Sequence, residues 1–199
     1  IDVKNYATGF THENEKAEAG FYSVKMDNGI KVELTASTRA GFHKYTFAKG
    51  KNGFVVLDLT HRDKTLSAEY IIVSDNKIEG YRLSEAWAKK QYIYFSMEFS
   101  EPFEIVNSNS QAATLIDGTK LSSKSKAVIK FNTKKNKIVY VKIGISQTSI
   151  EGARKNLESE IPHWDFEKTR AEAKALWNKE LSKIEIADAS VSINSTTGS

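Results

Sequence analysis

Cysteine is absent from the 199 residues, which excludes disulfide scaffolds, thiolate metal sites and cysteine nucleophiles while leaving the compartment open. Proline occurs only twice, so little in the chain interrupts hydrogen-bonded strands. No apolar run approaches the length of a membrane span, and no membrane span is expected. The chain begins at Ile1 with neither a methionine nor a signal-like segment, so a processed or excised fragment is expected. Histidine is sparse: His12, His43, His61 and His163 stand apart, with no HExxH and no pair at metal-ligand spacing. They read as isolated structural or surface residues, and no metal site is expected in this chain. There is no internal repeat.

What is present suits one sizeable soluble domain, with 40% hydrophobic and 11% aromatic residues. The net charge of +4 is mild. The densest basic stretch, Lys120 to Lys137, holds a single aromatic, Phe131, and reads as a solvated hairpin face, so nucleic-acid binding is not expected.

After a polar opening, Phe21–Met26 and Ile30–Thr35 alternate on either side of Asp27-Asn28-Gly29, which predicts a hairpin with a type I′ turn. Gly41–Phe47 reads as a strand in which Phe42 is out of step with His43, Tyr45 and Phe47, so both of its faces are covered. Lys49–Gly53 reads as a turn and Phe54–Leu59 as a short buried strand. Glu69–Val73 and Lys77–Arg82 form a further hairpin around Ser74-Asp75-Asn76. Gln91–Phe99 alternates, with Ile93, Phe95, Met97 and Phe99 on one face and Tyr92 and Tyr94 on the other. Phe103–Val106, Ala113–Ile116, Lys126–Phe131 and Lys137–Ile145 continue the series, separated by Asn107–Ser110, Asp117-Gly118 and Asn132–Asn136. Strands without helical crossovers predict a mainly β fold, an antiparallel β-sandwich, over residues 1–147.

Helices come only at the end. Thr148 and Glu151 have capping-box spacing before Ile150, Ala153, Leu157 and Ile161, and Pro162 stops that helix. Asp165 caps a second, in which Phe166, Ala173, Leu176, Trp177, Leu181 and Ile184 form a stripe. Residues 148–186 are thus two linker helices, with Trp164, Phe166 and Trp177 as domain-interface candidates. Residues 187–199 read as a flexible tail.

No pair of carboxylates stands out for acid–base chemistry, and His61-Arg62-Asp63 reads equally as a strand-end ion cluster. Gly80–Gln91 differs, because it gathers Tyr81, Arg82 and Trp87 in what reads as a loop between strands. Aromatic faces beside hydrogen-bond donors suit a sugar ring, while a loop anchored by a buried Trp87 is the other reading.

Five motifs in order, Phe10–Tyr22, Glu33–Phe47, Gly80–Ala88, Ile150–Leu157 and Trp177–Leu181, resemble the N-terminal β-sandwich (supersandwich-like) and linker helices of bacterial glycoside hydrolase family 92 α-mannosidases. The resemblance implies an exo-acting, inverting, calcium-dependent α-mannosidase of α-1,2-linked mannose in glycans. The sandwich would pack on an (α/α)6 catalytic barrel of the same polypeptide that carries the catalytic carboxylates and the calcium. This fragment alone is then expected to be inactive, and the location periplasmic, cell-surface or secreted in a bacterium. Tyr81, Arg82, Trp87 and the His12-Glu13 loop are the substrate-rim candidates. The competing expectation is a free-standing carbohydrate-binding module, which would bury both helical stripes on its own sheet, whereas a domain parted from its barrel would expose an apolar patch.

Overall fold

A computed structural model describes residues 2, 4, 6–48, 52–114 and 120–185, with side chains omitted for 109–114 and 120–124. The tail at 187–199, the Asp117-Gly118 turn, Ile116 and most of the Lys49–Gly53 turn lie outside the described residues. The strands are β1 (Glu15–Glu18), β2 (Phe21–Lys25), β3 (Lys31–Ala36), β4 (Ala40–Thr46), β5 (Gly53–Asp58), β6 (Lys64–Ser74), β7 (Lys77–Glu85), β8 (Gln91–Phe99), β9 (Phe103–Thr114), β10 (Lys120–Phe131) and β11 (Ile138–Ser146). Two helices follow, α1 (Ile150–Glu160) and α2 (Phe166–Leu181). The strands form an eight-stranded sheet, β1-β2-β3-β4-β11-β8-β7-β6, and a three-stranded sheet, β5-β10-β9, antiparallel throughout.

Period-two alternation gives the large sheet two distinct faces. Phe47, Tyr70, Ile78, Phe95, Phe99 and Val139 face the small sheet, which contributes Leu57, Ile129 and Phe131 to the same buried cluster. Phe42 points the other way and is fully buried with Phe21, Leu157, Ile161 and Phe166 under the helices. Both faces of β4 are therefore covered, as its out-of-step aromatics require.

Four local readings need correction. The β2–β3 hairpin is not a two-residue type I′ turn. Met26 N–H donates to the Ile30 carbonyl at 2.9 Å and Gly29 N–H to the Met26 carbonyl at 2.8 Å, so Asp27–Gly29 form the loop. Only Gly29 takes positive φ, 84°, while the Asn28 carboxamide accepts from Ile30 N–H at 3.1 Å. The polar opening contains β1, an edge strand whose pairing with β2 needs no apolar side chains. Asn107–Asn109 are not a loop: their backbone pairs with β10, and register shifts in that ribbon absorb the polar stretch. The cap of α1 is Ser149, whose hydroxyl accepts from Gly152 N–H at 2.9 Å, rather than Thr148 in a capping box, since Glu151 pairs instead with Lys155.

Asp165 caps α2 as its spacing predicts, accepting from Lys168 N–H at 3.0 Å. Gly144 of β11 is what lets α1 settle. A Cβ there would stand 2.2 Å from the Ala153 carbonyl oxygen and 2.7 Å from Leu157 Cβ, so any side chain would lift the helix off the sheet.

Candidate functional site

Trp87 sits in the Ala86–Lys90 connection between β7 and β8 and is 97% exposed, so it does not anchor the loop. Burial of an indole is worth several kcal/mol at roughly 25 cal/mol per Å2, and this one is left in water. Next to it in the sheet, Tyr81, Tyr92 and Tyr94 share the helix-side face, because Leu83 pairs with Tyr92 and Tyr81 with Tyr94. The Tyr92 and Tyr94 rings are parallel within 7° at 5.8 Å, Tyr81 lies 6.0 Å from Tyr94, and its hydroxyl is 2.9 Å from Ser67 Oγ. Sequence reasoning passed over Tyr92, Tyr94 and Ser67, although the alternation of Gln91–Phe99 already assigned the two tyrosines to one face.

Tyr81 and Arg82 lie within β7 rather than in a loop, because the β6–β7 ladder runs on to Glu85. Arg82 faces the other way from Tyr81. Its guanidinium donates to the carbonyls of Leu59 at 2.7 Å, His61 at 3.2 Å and Asp63 at 3.2 Å. It closes the turn in which Arg62 takes φ 75°, so it is a structural clamp, with Asp63 at 3.7 Å. His12 and Glu13 form a short 3-10 turn ahead of β1, where His12 Nδ1 contacts Glu15 Oε2 at 2.8 Å. The strand order puts that turn at the opposite edge and opposite end of the sheet from Trp87. At ~4.8 Å per strand the lateral gap alone is roughly 25 Å, so the structure does not bring these two sets of residues together.

The helix layer is held by charges at its margins. Glu79, fully buried, takes Arg154 Nε at 2.6 Å and Nη2 on its other oxygen, with Ser96 Oγ at 3.0 Å. Those Arg154 hydrogen bonds hold the Glu79 carboxyl below the usual carboxylate range against the opposing effect of burial. Glu160 accepts from Arg39 Nε and Ser37 Oγ, each at 2.6 Å, and Arg170 reaches Glu18 at 2.7 Å while lying over the Phe21 ring. Lys142 donates to the Ile161 carbonyl at 3.1 Å, where a cation suits the end of α1, and sits 4.3 Å from the Trp164 ring centre. Phe166 is buried in this layer against Phe42, so it is core of this chain and not an outward contact. Trp164 is partly exposed. Trp177 is half exposed and continues with Leu176, Leu181 and Ile184 as an open apolar row along the distal part of α2 and just beyond it.

Comparison with known proteins matches residues 1–146 to the glycosyl hydrolase family 92 N-terminal domain. The chain belongs to glycoside hydrolase family 92. Residues 152–197 match the family 92 catalytic domain, so α2 and all but the first two residues of α1 fall within the catalytic-domain match while packing on the sandwich. A curated relative from Arthroderma benhamiae, named an uncharacterized secreted glycosidase, is 27% identical, with 94% of this chain and 27% of the relative covered. A family 92 α-mannosidase structure from Bacteroides thetaiotaomicron is 28% identical at a TM-score of 0.74, covering 91% of this chain and 26% of that one. A family 92 inverting mannosidase from the same species shares the fold at 24% identity and a TM-score of 0.73, over 92% of this chain and 25% of that one. The family 92 chain thus spans about a quarter of the length of these relatives.

Among the described residues, no group of three or more His, Asp or Glu side chains could hold a metal ion. No helix among the described residues is long and apolar enough to cross a membrane.

Proposed function

We propose that this chain is the N-terminal part of an exo-acting, inverting α-mannosidase that removes α-1,2-linked mannose from glycans. In this reading the sandwich braces an (α/α)6 catalytic barrel in the same polypeptide, and that barrel carries the calcium and both catalytic carboxylates. Inversion needs an acid and a base with room for a water between them; Glu160 and Glu172 do line one groove beside α2, but Glu160 is taken up by Ser37 and Arg39, so in this reading both roles fall to the barrel. The observation that carries the reading is the succession, in one chain, of an N-terminal-domain match ending at residue 146 and a catalytic-domain match beginning at residue 152. The open row of Leu176, Trp177, Leu181 and Ile184 supports it, since a free-standing binding module would bury both helical stripes on its own sheet. A secreted or cell-envelope location accords with the secreted relative. Of the rim candidates, Trp87 with Tyr81 and its neighbour Tyr92 has the chemistry to meet a sugar at the barrel mouth.

The test is turnover of α-1,2-mannobiose by the full-length parent. Hydrolysis that stops on chelation, releases β-mannose first by NMR, and is absent from residues 1–199 alone is the expected result. Turnover by this chain alone, or retention of configuration, overturns the reading. Trp87→Ala in the parent should lower kcat/KM, and an unchanged value removes Trp87 from the rim.

A further inference from the structure

The large sheet has eight strands and the small one three. Where β5 ends the small sheet, a cleft of about 960 Å3 opens on the side away from the helices. That volume is within the range of small-molecule sites, which run from ~300 to ~1,000 Å3. Among the described residues its lining contains no Asp, Glu, Lys or Arg, in a chain where 27% of residues are charged. The apolar lining wraps round the β5 edge, with Ile30 and Val32 on the large-sheet side and Val56 and Val128 on the outer face of the small sheet, where Phe54 stands half exposed.

Three carboxamides at this cleft are neutral and have hydrogen-bonding capacity to spare, whereas the Tyr6 and Tyr45 hydroxyls are engaged by Asp58 and His43. No hydrogen bond engages the side chains of Asn52 or Asn107 among the described residues. Asn28 uses its carboxamide oxygen on Ile30 N–H at 3.1 Å and keeps its NH2 group free. A carboxamide both donates and accepts, which matches a hydroxyl group, whereas a phosphate or carboxylate would find no cation among the described lining residues. An apolar lining, an open aromatic ring and scattered carboxamides together fit a ligand with C–H faces and neutral hydroxyl edges. An extended peptide fits less well. Tyr6–Thr8 already line this cleft, and the Tyr6 hydroxyl donates to Asp58 at 2.6 Å, across the end of β5 that an added strand would need.

We propose that this cleft is a second, non-catalytic carbohydrate site that binds a neutral pyranose chain. It goes beyond the mannosidase reading and lies on the opposite face of the large sheet from α1 and α2, so occupancy does not compete with the helix-side surface.

The experiment titrates 15N-labelled residues 1–199 with α-1,2-mannobiose. Saturable shifts centred on Asn28, Asn52, Phe54 and Asn107 are expected, with Phe54→Ala weakening binding about tenfold and Asn52→Ala with Asn107→Ala weakening it while the spectrum stays folded. No saturable binding at tens of millimolar (roughly the weak limit of such sites) overturns the proposal. So do shifts that centre on Trp87 and survive Phe54→Ala, and so does a concentration-dependent dimer that Phe54→Ala dissolves, which would make the cleft a contact between copies. Turnover by the parent is read separately, so the failure of either reading leaves the other standing.

Discussion

On one face the large sheet meets the small one through Phe95, Phe99, Ile129 and Phe131, fully or almost fully buried. On the other it meets the helices through a smaller apolar cluster ringed by Glu79–Arg154, Glu160–Arg39, Glu18–Arg170 and Lys142. The first is a domain core. The second is built like a contact between domains, more polar and tied by paired charges. This difference accounts for how the family assigns α1 and α2: they match the catalytic domain in sequence and pack on the sandwich in space. Their attachment is firm near Leu157 and Phe166 and looser along Trp177 and Leu181, each about half exposed, so the layer grades from core to open surface within α2.

The largest effect is expected on the inner face. Phe99 is fully buried, with ring centres of Phe103 at 5.2 Å and Phe131 at 5.3 Å. Phe99→Ala should cost about 3–5 kcal/mol in urea unfolding, as for other buried Phe truncations. A loss below that of the helix-face change described next would erase the contrast between the two faces.

Removing Arg154 tests the outer face. Glu79 would then lie buried with only Lys77, 3.6 Å away, and Ser96 to answer its charge. Arg154→Ala should cost about 2–3 kcal/mol, less than the ~3–5 kcal/mol for breaking a fully buried pair, because the Arg154 side chain is half exposed. Hydrogen exchange should rise in α1 well before β8 and β11 respond, as expected if the helix layer opens as its own unit. Uniform loss of protection across sheet and helices would show that the two faces form one cooperative core.

Much of this contrast was legible in the residues. The alternation of β8, the out-of-step Phe42 and the stripe after Asp165 fixed which side chains share a face, because periodicity reports local geometry directly. The Glu79–Arg154 pair spans 75 positions, and no local pattern connects a carboxylate in a strand to a guanidinium on a helix. Arg82 misled for a related reason: the residue type suits a ligand, but the carbonyls it clamps belong to a turn about 20 positions away, and only the fold brings them to it. The tyrosines of β8 were assigned a face yet not a neighbour, since Tyr81 joins them only through cross-strand register.

Acid should act on the two faces in separate windows, and this is the smallest effect per step. On the inner face His43, on β4 with its Nδ1 2.8 Å from the Tyr45 hydroxyl, is pushed by burial from 6.5 down to about 4. Between those values the unfolded chain binds a proton that the folded chain refuses, so stability is full above pH 6.5 and declines as pH falls toward 4, where it levels off. The slope is at most about 1.4 kcal/mol per pH unit for one group. Glu79 behaves in the same direction but later: its depressed carboxyl keeps its contribution above the ordinary value of 4.5 and loses it below. His43→Gln should therefore flatten the decline between pH 6.5 and 4 while leaving the loss at lower pH, whereas Arg154→Ala should remove the loss below 4.5, because the hydrogen bonds that depress Glu79 are gone. If His43→Gln leaves the slope above pH 5 (about the middle of the His43 window) unchanged, the histidine is not held neutral by the inner face.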